Sequence, residues 1–168
     1  GGTPIGERIR SIILDRDCAE MDDMTEAMLY AAARAQHVAQ VIRPALSAGK
    51  IVICDRFVDS SIAYQGYGRG LGEAVSVIND YAVCGCLPDV TFLMKMDPRV
   101  GRRRINVQQQ DRLEREKDDF HVRTYEGYLE LEKKYPGRIV GIDAARSIEE
   151  IKIDIYKKLE EVLKGVTE

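Results

Sequence analysis

Two charged residues, Asp55 and Arg56, directly follow a short apolar run and carry the side chains that phosphate chemistry uses. A guanidinium presents a planar fork of donors that matches phosphate oxygens. The carboxylate of Asp55 can orient either Arg56 or a water molecule bound to magnesium. The same pair also fits a structural ion pair at the end of a strand. Asp55 and Arg56 are therefore candidate catalytic residues, and the structural alternative stays open.

Three polar side chains with the spacing of one helix face follow this pair. Ser61, Tyr64 and Gln65 lie three or four positions apart, and a helix would place them together. A hydroxyl, a phenol and an amide that converge in this way suit the edge of a nucleobase and its sugar. The alternative is a polar helix face that only contacts solvent.

An aromatic and a basic residue, Tyr30 and Arg34, are also four positions apart. An aromatic ring stacks on a base with about 1–3 kcal/mol of free energy, and the arginine can hold a phosphate. A buried tyrosine beside an arginine that reaches to solvent would give the same spacing.

The segment from Arg102 to Asp119 is almost entirely charged or amide-bearing and contains five arginines. From this composition we expect a helix end followed by a mobile loop. If the chemistry is phosphoryl transfer, such a loop would supply the cations needed over the oxygens of the transferred group. A loop that closes would also exclude water from the reaction. Acidic residues interleave with the arginines, which fits a solvated charged helix equally well.

A glycine-rich run between Gly66 and Gly72 superficially matches a dinucleotide-binding fingerprint. That fingerprint must follow a strand and open a helix, whereas these glycines follow a predicted helical segment. We therefore interpret the run as a flexible connection.

The elements that position these residues alternate between helix and strand, which indicates an α/β fold with a parallel sheet. Strands are predicted at 51–54, 90–96 and 139–142, and an aspartate directly follows each of them. Ligands bind at that edge of such sheets. Three strands are few for a sheet covered by so many helices, so we expect part of the sheet to lie outside this sequence.

Capping residues predict where the helices begin and end. Thr3 and Pro4 fit an N-cap and first helical position, and Asp22 with Asp23 starts a long helix over about 24–48. We expect that helix to end at Gly49 and Pro44 to kink or shorten it. Ser147 forms a capping box with the glutamate three residues later for a last helix that runs to about residue 164.

Length and composition limit the class of protein. A chain of 168 residues is long enough for one domain with its own core. The formal charge of −3 gives no general reason to expect nucleic-acid or membrane binding. Four cysteines without a CxxC pair and only two histidines argue against a zinc site, and the thiols are expected to be reduced, as in the cytosol.

Taken together, these segments resemble thymidylate kinase of the bacterial type, over nearly all of the chain. The matching segments are Gly1–Glu7, Asp55–Ser61, Ala63–Gly66, Leu87–Thr91, Asp111–Glu114, Phe120–His121 and Glu126–Tyr128.

The resemblance implies roles for individual residues. Tyr30 matches the aromatic residue that stacks on thymine, and Arg34 the arginine near the dTMP phosphate and base. Arg10 matches an arginine that reaches a base carbonyl, and Arg56 the one that contacts the acceptor phosphate. Ser61 and Gln65 match residues near the thymine edge, Tyr64 one beside the deoxyribose, and Arg112 a lid arginine aimed at the ATP phosphates. The adenine-side loop is matched by residues 144–146, including Ala144 and Arg146.

The resemblance also implies a single kinase domain over 1–168, with a lid at about 105–118 on a P-loop nucleoside monophosphate kinase-like sheet flanked by helices. The expected activity is transfer of the γ-phosphoryl group of ATP, with Mg²⁺, to dTMP in dTTP biosynthesis. A cytoplasmic homodimer without nucleic-acid or membrane partners is expected.

One part of the family pattern is not found in the sequence. The family begins with a strand and a GxxxxGK[ST] loop that holds the ATP phosphates, and nothing here matches it. We therefore expect the sequence to be incomplete relative to the folded enzyme. The alternatives are a fragment that binds dTMP but lacks the donor site, and a kinase for another nucleoside monophosphate.

Overall fold

A computed structural model describes residues 2–102 and 111–166 of the chain. The described residues form two compact units, the first from residues 2–87 and 111–127 and the second from residues 88–102 and 128–166. Arg103, Arg104 and the part of the predicted lid at 105–110 lie outside the described residues. The single domain over 1–168 and the lid remain predictions.

Helices dominate the first unit. They are α1 (Pro4–Leu14), α2 (Asp23–His37), α3 (Arg43–Ser47), α4 (Val58–Ser61) and α5 (Glu73–Val83), with a first π-helix at Val38–Ile42 and a second π-helix at Ile62–Gly68. The second unit contains β1 (Thr91–Lys95), α6 (Pro98–Arg102), β2 (Ile139–Asp143) and α8 (Ile148–Val166). Helix α7 (Asp118–Lys134) contributes residues to both units. Across the described residues, no helix combines the length and the apolar character needed to cross a membrane.

The predicted helix caps are confirmed. The side chain of Thr3 accepts a hydrogen bond of 2.9 Å from the backbone N–H of Gly6, and the side chain of Asp22 caps α2. At the start of α8, Glu150 accepts from the backbone N–H of Ser147 at 3.0 Å, and the Glu150 N–H donates back to the Ser147 hydroxyl at 3.4 Å. Short polar side chains at these positions satisfy backbone N–H groups that the helices leave unpaired.

Pro44 changes the geometry of the long helix without ending it. Proline has no N–H and cannot make the usual helical hydrogen bond. The residues before it form the first π-helix, in which the N–H of Arg43 donates to the carbonyl of Val38, five residues back. The chain leaves the helix at Gly49, whose φ of 71° lies in the left-handed region that glycine tolerates.

The sheet is small and parallel. Strand β1 pairs with β2 in a register that runs from Thr91 opposite Ile139 to Lys95 opposite Asp143. The predicted strands at 90–96 and 139–142 are therefore confirmed, as is an α/β fold with a parallel sheet. Both strands lie in the second unit.

The predicted strand at 51–54 is wrong for this structure. The segment has no strand assignment, and Ile51 and Ile53 are 74% and 92% exposed. A strand exists only where its backbone groups pair with a neighbour. Over residues 2–102 and 111–166, the sheet consists of β1 and β2, and neither pairs with this segment.

The glycine-rich run is more ordered than predicted, because its first part belongs to the second π-helix. Gly68 is buried there, and a Cβ atom at this position would lie 2.6 Å from Thr124 Oγ1 and 2.7 Å from Phe120 Cε2. Glycine therefore permits α7 to approach the π-helix closely, and the interpretation of this part as a flexible connection is corrected.

Gly68→Ala is expected to destabilise the protein by about 1–3 kcal/mol, because an added methyl group has no room beside Phe120 and Thr124. Urea unfolding of the two proteins measures the difference. Gly137→Ala is the matched control, because nothing lies within 4 Å of a Cβ atom at Gly137. We expect the control to change the free energy of unfolding by less than about 0.5 kcal/mol; equal effects of the two substitutions would contradict the packing argument.

Candidate active site

Helix α2 supplies a column of three functional side chains in the first unit. Glu26, Tyr30 and Arg34 are spaced by four residues, so they follow one another along the same side of the helix. The predicted pair Tyr30 and Arg34 thus gains a third member. Glu26 was not predicted as a site residue.

Glu26 is the most buried charge of the column. Its side chain is fully buried, with 0% exposure. Gln65 Nε2 donates to Oε1 at 2.8 Å, and the Arg69 guanidinium donates to Oε1 at 3.3 Å and to Oε2 at 3.0 Å. Arg112 donates to Oε2 from the turn at 111–117. One carboxylate therefore joins α2, the second π-helix and that turn.

These partners keep the carboxylate ionised. Burial is the largest single influence and raises the pKa of Glu26, but the hydrogen bonds from Arg69, Gln65 and Arg112 together outweigh it and lower the pKa below its usual value. The site therefore contains an acceptor that carries a full negative charge at neutral pH.

Arg69 extends this cluster toward the start of α7. Its guanidinium pairs with Asp23 at 3.2 Å and with Glu116 at 2.6 Å, and it lies 4.8 Å from the centre of the Phe120 ring. An arginine can make all these contacts because its planar fork both donates hydrogen bonds and stacks on aromatic faces. Arg69 was not predicted as a site residue either, because its segment was interpreted as a flexible connection.

Arg34 is anchored by polar contacts at the other end of the column. It donates to Asn79 Oδ1 on α5 and, at 3.1 Å, to the backbone carbonyl of Phe57. Burial lowers the pKa of Arg34 to about 10, so the guanidinium remains charged at neutral pH. Asn79 is fully buried, and its own amide nitrogen donates to the Val75 carbonyl at 2.8 Å.

Tyr30 lies between these two charged groups. Burial is the main cause that raises the pKa of Tyr30 to about 12, and the negative charge of Glu26 adds to it. The charge of Arg10, exposed on α1, acts on the same phenol in the opposite direction. Tyr30 is therefore a neutral phenol at physiological pH.

Arg56 occupies a backbone conformation that is rare for a residue with a side chain. Its φ of 64° is left-handed, and such strain costs about 1–3 kcal/mol and is often found at functional sites. The guanidinium lies 5.2 Å from the centre of the Tyr64 ring, and Tyr64 meets Phe120 edge-on at 5.9 Å. Asp55 and Arg56 are both exposed.

The structure brings nine of the predicted site residues into the first unit: Arg10, Tyr30, Arg34, Asp55, Arg56, Ser61, Tyr64, Gln65 and Arg112. Ser61 and Gln65 are buried, whereas Tyr64 is half-buried. Of the nine, Arg112 is 10% exposed and donates to Glu26, to the Ile13 carbonyl at 2.9 Å and to Met21.

The other two predicted residues, Ala144 and Arg146, belong to the second unit. The N–H of Ala144 donates to the Lys95 carbonyl at 2.9 Å, which continues the pairing beyond the end of β2. Arg146 pairs with Asp154 of α8.

One signal in the sequence could have identified Glu26, because it precedes Tyr30 by one helical turn and continues the same face. No comparable signal exists for its pairing with Arg69 or Arg112. Those partners are 43 and 86 positions away along the chain.

Comparison with known proteins gives consistent matches. The family model Thymidylate kinase matches residues 1–155. The chain is 49% identical over 167 residues to a thymidylate kinase of Halalkalibacterium halodurans, covering 97% of this chain and 80% of that protein. It is 52% identical over 167 residues to a thymidylate kinase of Lactobacillus helveticus, with 97% and 79% covered. A thymidylate kinase of Clostridium novyi is 47% identical over 155 residues, with 90% and 76% covered.

Glu26→Gln is expected to lower the free energy of unfolding by about 3–5 kcal/mol at neutral pH, because it removes the buried carboxylate that pairs with Arg112 and one of the three carboxylates that pair with Arg69. The folded-state pKa of Glu26 lies below its ordinary value of 4.5. Its stabilising effect is therefore present above that value and is lost as the pH falls through the folded-state pKa. The difference between wild type and variant should shrink below about pH 4.5 in urea unfolding curves.

Glu130→Gln is the control for this measurement, because Glu130 pairs with Lys133 at an exposed position. We expect a change of less than about 0.5 kcal/mol. Wild type and Glu26→Gln curves that stay parallel from neutral to acidic pH would contradict the buried role of Glu26.

Proposed function

Because the chain belongs to the thymidylate kinase family, we propose that its first unit holds the acceptor nucleotide, dTMP, for phosphorylation. The enzymes of this family transfer a phosphoryl group from ATP to dTMP, and this is the activity of the chain. The observation that carries the proposal for the site is the Tyr30 and Arg34 pair on α2. It lies in the same unit as the polar helix face that bears Gln65.

The base is the first part of dTMP to be placed. Tyr30 stacks on thymine as a neutral phenol, since its pKa of about 12 lies far above physiological pH. Ser61 and Gln65 face the polar edge of the base, with Arg10 reaching a base carbonyl. Tyr64 lies beside the deoxyribose. A wrong base would leave a buried donor or acceptor of this set unpaired, which costs about 1–3 kcal/mol.

The acceptor phosphate is held by arginines. Arg56 contacts it in this proposal, because its side chain is exposed and a guanidinium matches phosphate oxygens. Arg34 supports the phosphate and base from α2, where Asn79 and the Phe57 carbonyl hold its guanidinium. Asp55 orients Arg56. Catalysis then consists of positioning and charge stabilisation, without a covalent intermediate.

ATP is bound by other residues in this proposal. Ala144 and Arg146 contact the adenine side, and Arg112 supplies a cation to the ATP phosphates. Arg112 donates to Glu26 in the present structure. Binding of ATP therefore requires Arg112 to exchange this carboxylate for a phosphate oxygen, and both partners are anions that suit its fork of donors.

Magnesium enters the site with ATP in this proposal, because Mg²⁺ is usually bound by one or two carboxylates together with substrate phosphates. Asp55 is the candidate carboxylate, acting through a bound water. Among the described residues there is no cluster of three or more metal-binding side chains. The P-loop nucleotide kinase fold, a homodimer and a cytoplasmic location complete the proposal on the strength of the family membership.

Tyr30→Ala is expected to weaken dTMP binding by about 5-fold to 150-fold, because base stacking on an aromatic side chain is worth about 1–3 kcal/mol. Tyr30→Phe keeps the ring and should change the Kd by less than about threefold. Isothermal titration calorimetry with dTMP measures both. Equal losses in the two variants would contradict stacking.

Steady-state formation of ADP tests the activity and the role of Arg56. We expect ADP to form only when ATP and dTMP are both present, and Arg56→Ala to reduce the rate by at least about 100-fold. Arg8→Ala removes an exposed arginine of α1 and should leave the rate within about threefold. Turnover by Arg56→Ala within about threefold of wild type would remove Arg56 from the mechanism. ADP formation that does not depend on dTMP would contradict the function.

A further inference from the structure

The contact between Glu26 and Gln65 joins two side chains that are both hidden from solvent. Their exposures are 0% and 1%, and the distance from Gln65 Nε2 to Glu26 Oε1 is 2.8 Å. Water does not compete for this hydrogen bond. The orientation of the Gln65 amide is therefore decided by its protein partners.

Glu26 can accept hydrogen bonds but has no proton to donate. The carboxylate is charged: its Oε2 receives donors from Arg69 and Arg112, and its Oε1 receives the Nε–H of Arg69. The nitrogen end of the Gln65 amide must therefore face Glu26, because the carbonyl end would place one acceptor against another. The amide carbonyl is turned away from the carboxylate as a result.

This orientation matters for a pyrimidine base. Thymine has an N–H donor at position 3 and a carbonyl acceptor at position 4, whereas cytosine has an acceptor at position 3 and an amino donor at position 4. An amide with a fixed orientation presents its carbonyl as an acceptor at one defined point. A rotated amide would present a donor at that point and would suit cytosine instead.

We propose that Glu26 is a positioning residue that sets the preference for thymine over cytosine by fixing the orientation of the Gln65 amide. The inference rests on the proposed function, in which Gln65 contacts the edge of the base. Glu26 itself does not touch the nucleotide. Its effect on the preference between thymine and cytosine passes through Gln65 alone.

The test compares dTMP and dCMP binding by isothermal titration calorimetry in the wild-type protein and in Glu26→Gln. A neutral glutamine both donates and accepts, so it allows the Gln65 amide to adopt either orientation. We expect the ratio of the Kd for dCMP to the Kd for dTMP to fall by about tenfold. A residue that only stabilised the fold would weaken both nucleotides together and leave the ratio unchanged.

Glu116→Gln is the matched control. Like Glu26, Glu116 accepts a hydrogen bond from Arg69, in its case at 2.6 Å. The replacement of a carboxylate by an amide is the same in both variants. Its substitution leaves the bond between Glu26 and Gln65 in place, so the Kd ratio should stay within about twofold of wild type. A fall equal to that of Glu26→Gln would overturn the proposal.

A second variant, Gln65→Met, shows whether the effect passes through Gln65. In the Gln65→Met background, the further change Glu26→Gln should alter the Kd ratio by less than about twofold, because the amide to be oriented is gone. A full tenfold effect in that background would overturn the proposal.

If Glu26→Gln does not fold, Glu26→Asp retains an acceptor-only carboxylate and should keep a Kd ratio above that of Gln65→Met; a ratio as low as that of Gln65→Met overturns the inference.

A wild-type protein that does not prefer dTMP to dCMP would remove the proposed function and the inference together. A preference that Glu26→Gln retains in full would overturn the inference alone.

Discussion

The buried carboxylate of Glu26 is the interaction on which the first unit depends. It accepts hydrogen bonds from Gln65 of the second π-helix, from Arg69 directly after that helix, and from Arg112 of the turn at 111–117. A buried charge is costly unless its partners are complete. If either segment moved away from α2, the buried carboxylate would lose a partner and the folded state would be destabilised. The carboxylate therefore fixes the relative positions of the groups that are proposed to bind dTMP.

The backbone of the first unit is shaped to allow this convergence. The second π-helix and the residue that follows it bring Gln65 and Arg69 to α2, and Gly68 lets Phe120 approach the same segment. π-Helical turns are rare and are frequently found at functional sites. The left-handed backbone at Arg56 lies near the second π-helix in the sequence. The backbone in this part of the chain departs from regular α-helix and carries several of the proposed site residues.

Local signals predicted much of this structure, and long-range pairing explains what they missed. The caps at Thr3, Asp22 and Ser147 act within one helical turn, so the sequence revealed them directly. The Tyr30 and Arg34 pair was predictable for the same reason. The segment at 51–54 has the apolar composition of a strand, but pairing with a neighbour decides whether a strand forms. The bonds from Arg69 and Arg112 to Glu26 depend on distant residues, which no periodicity encodes.

An NMR titration of the ¹⁵N-labelled protein with dTMP tests most directly whether the first unit holds the acceptor nucleotide. We expect the largest shifts at backbone amides of α2 and of the segment 56–69, where the proposed acceptor site lies. Glu26, Tyr30, Arg34 and Gln65 should be among them. Shifts that concentrate instead at β2 and α8, or an unchanged spectrum at saturating dTMP, would contradict the proposed acceptor site.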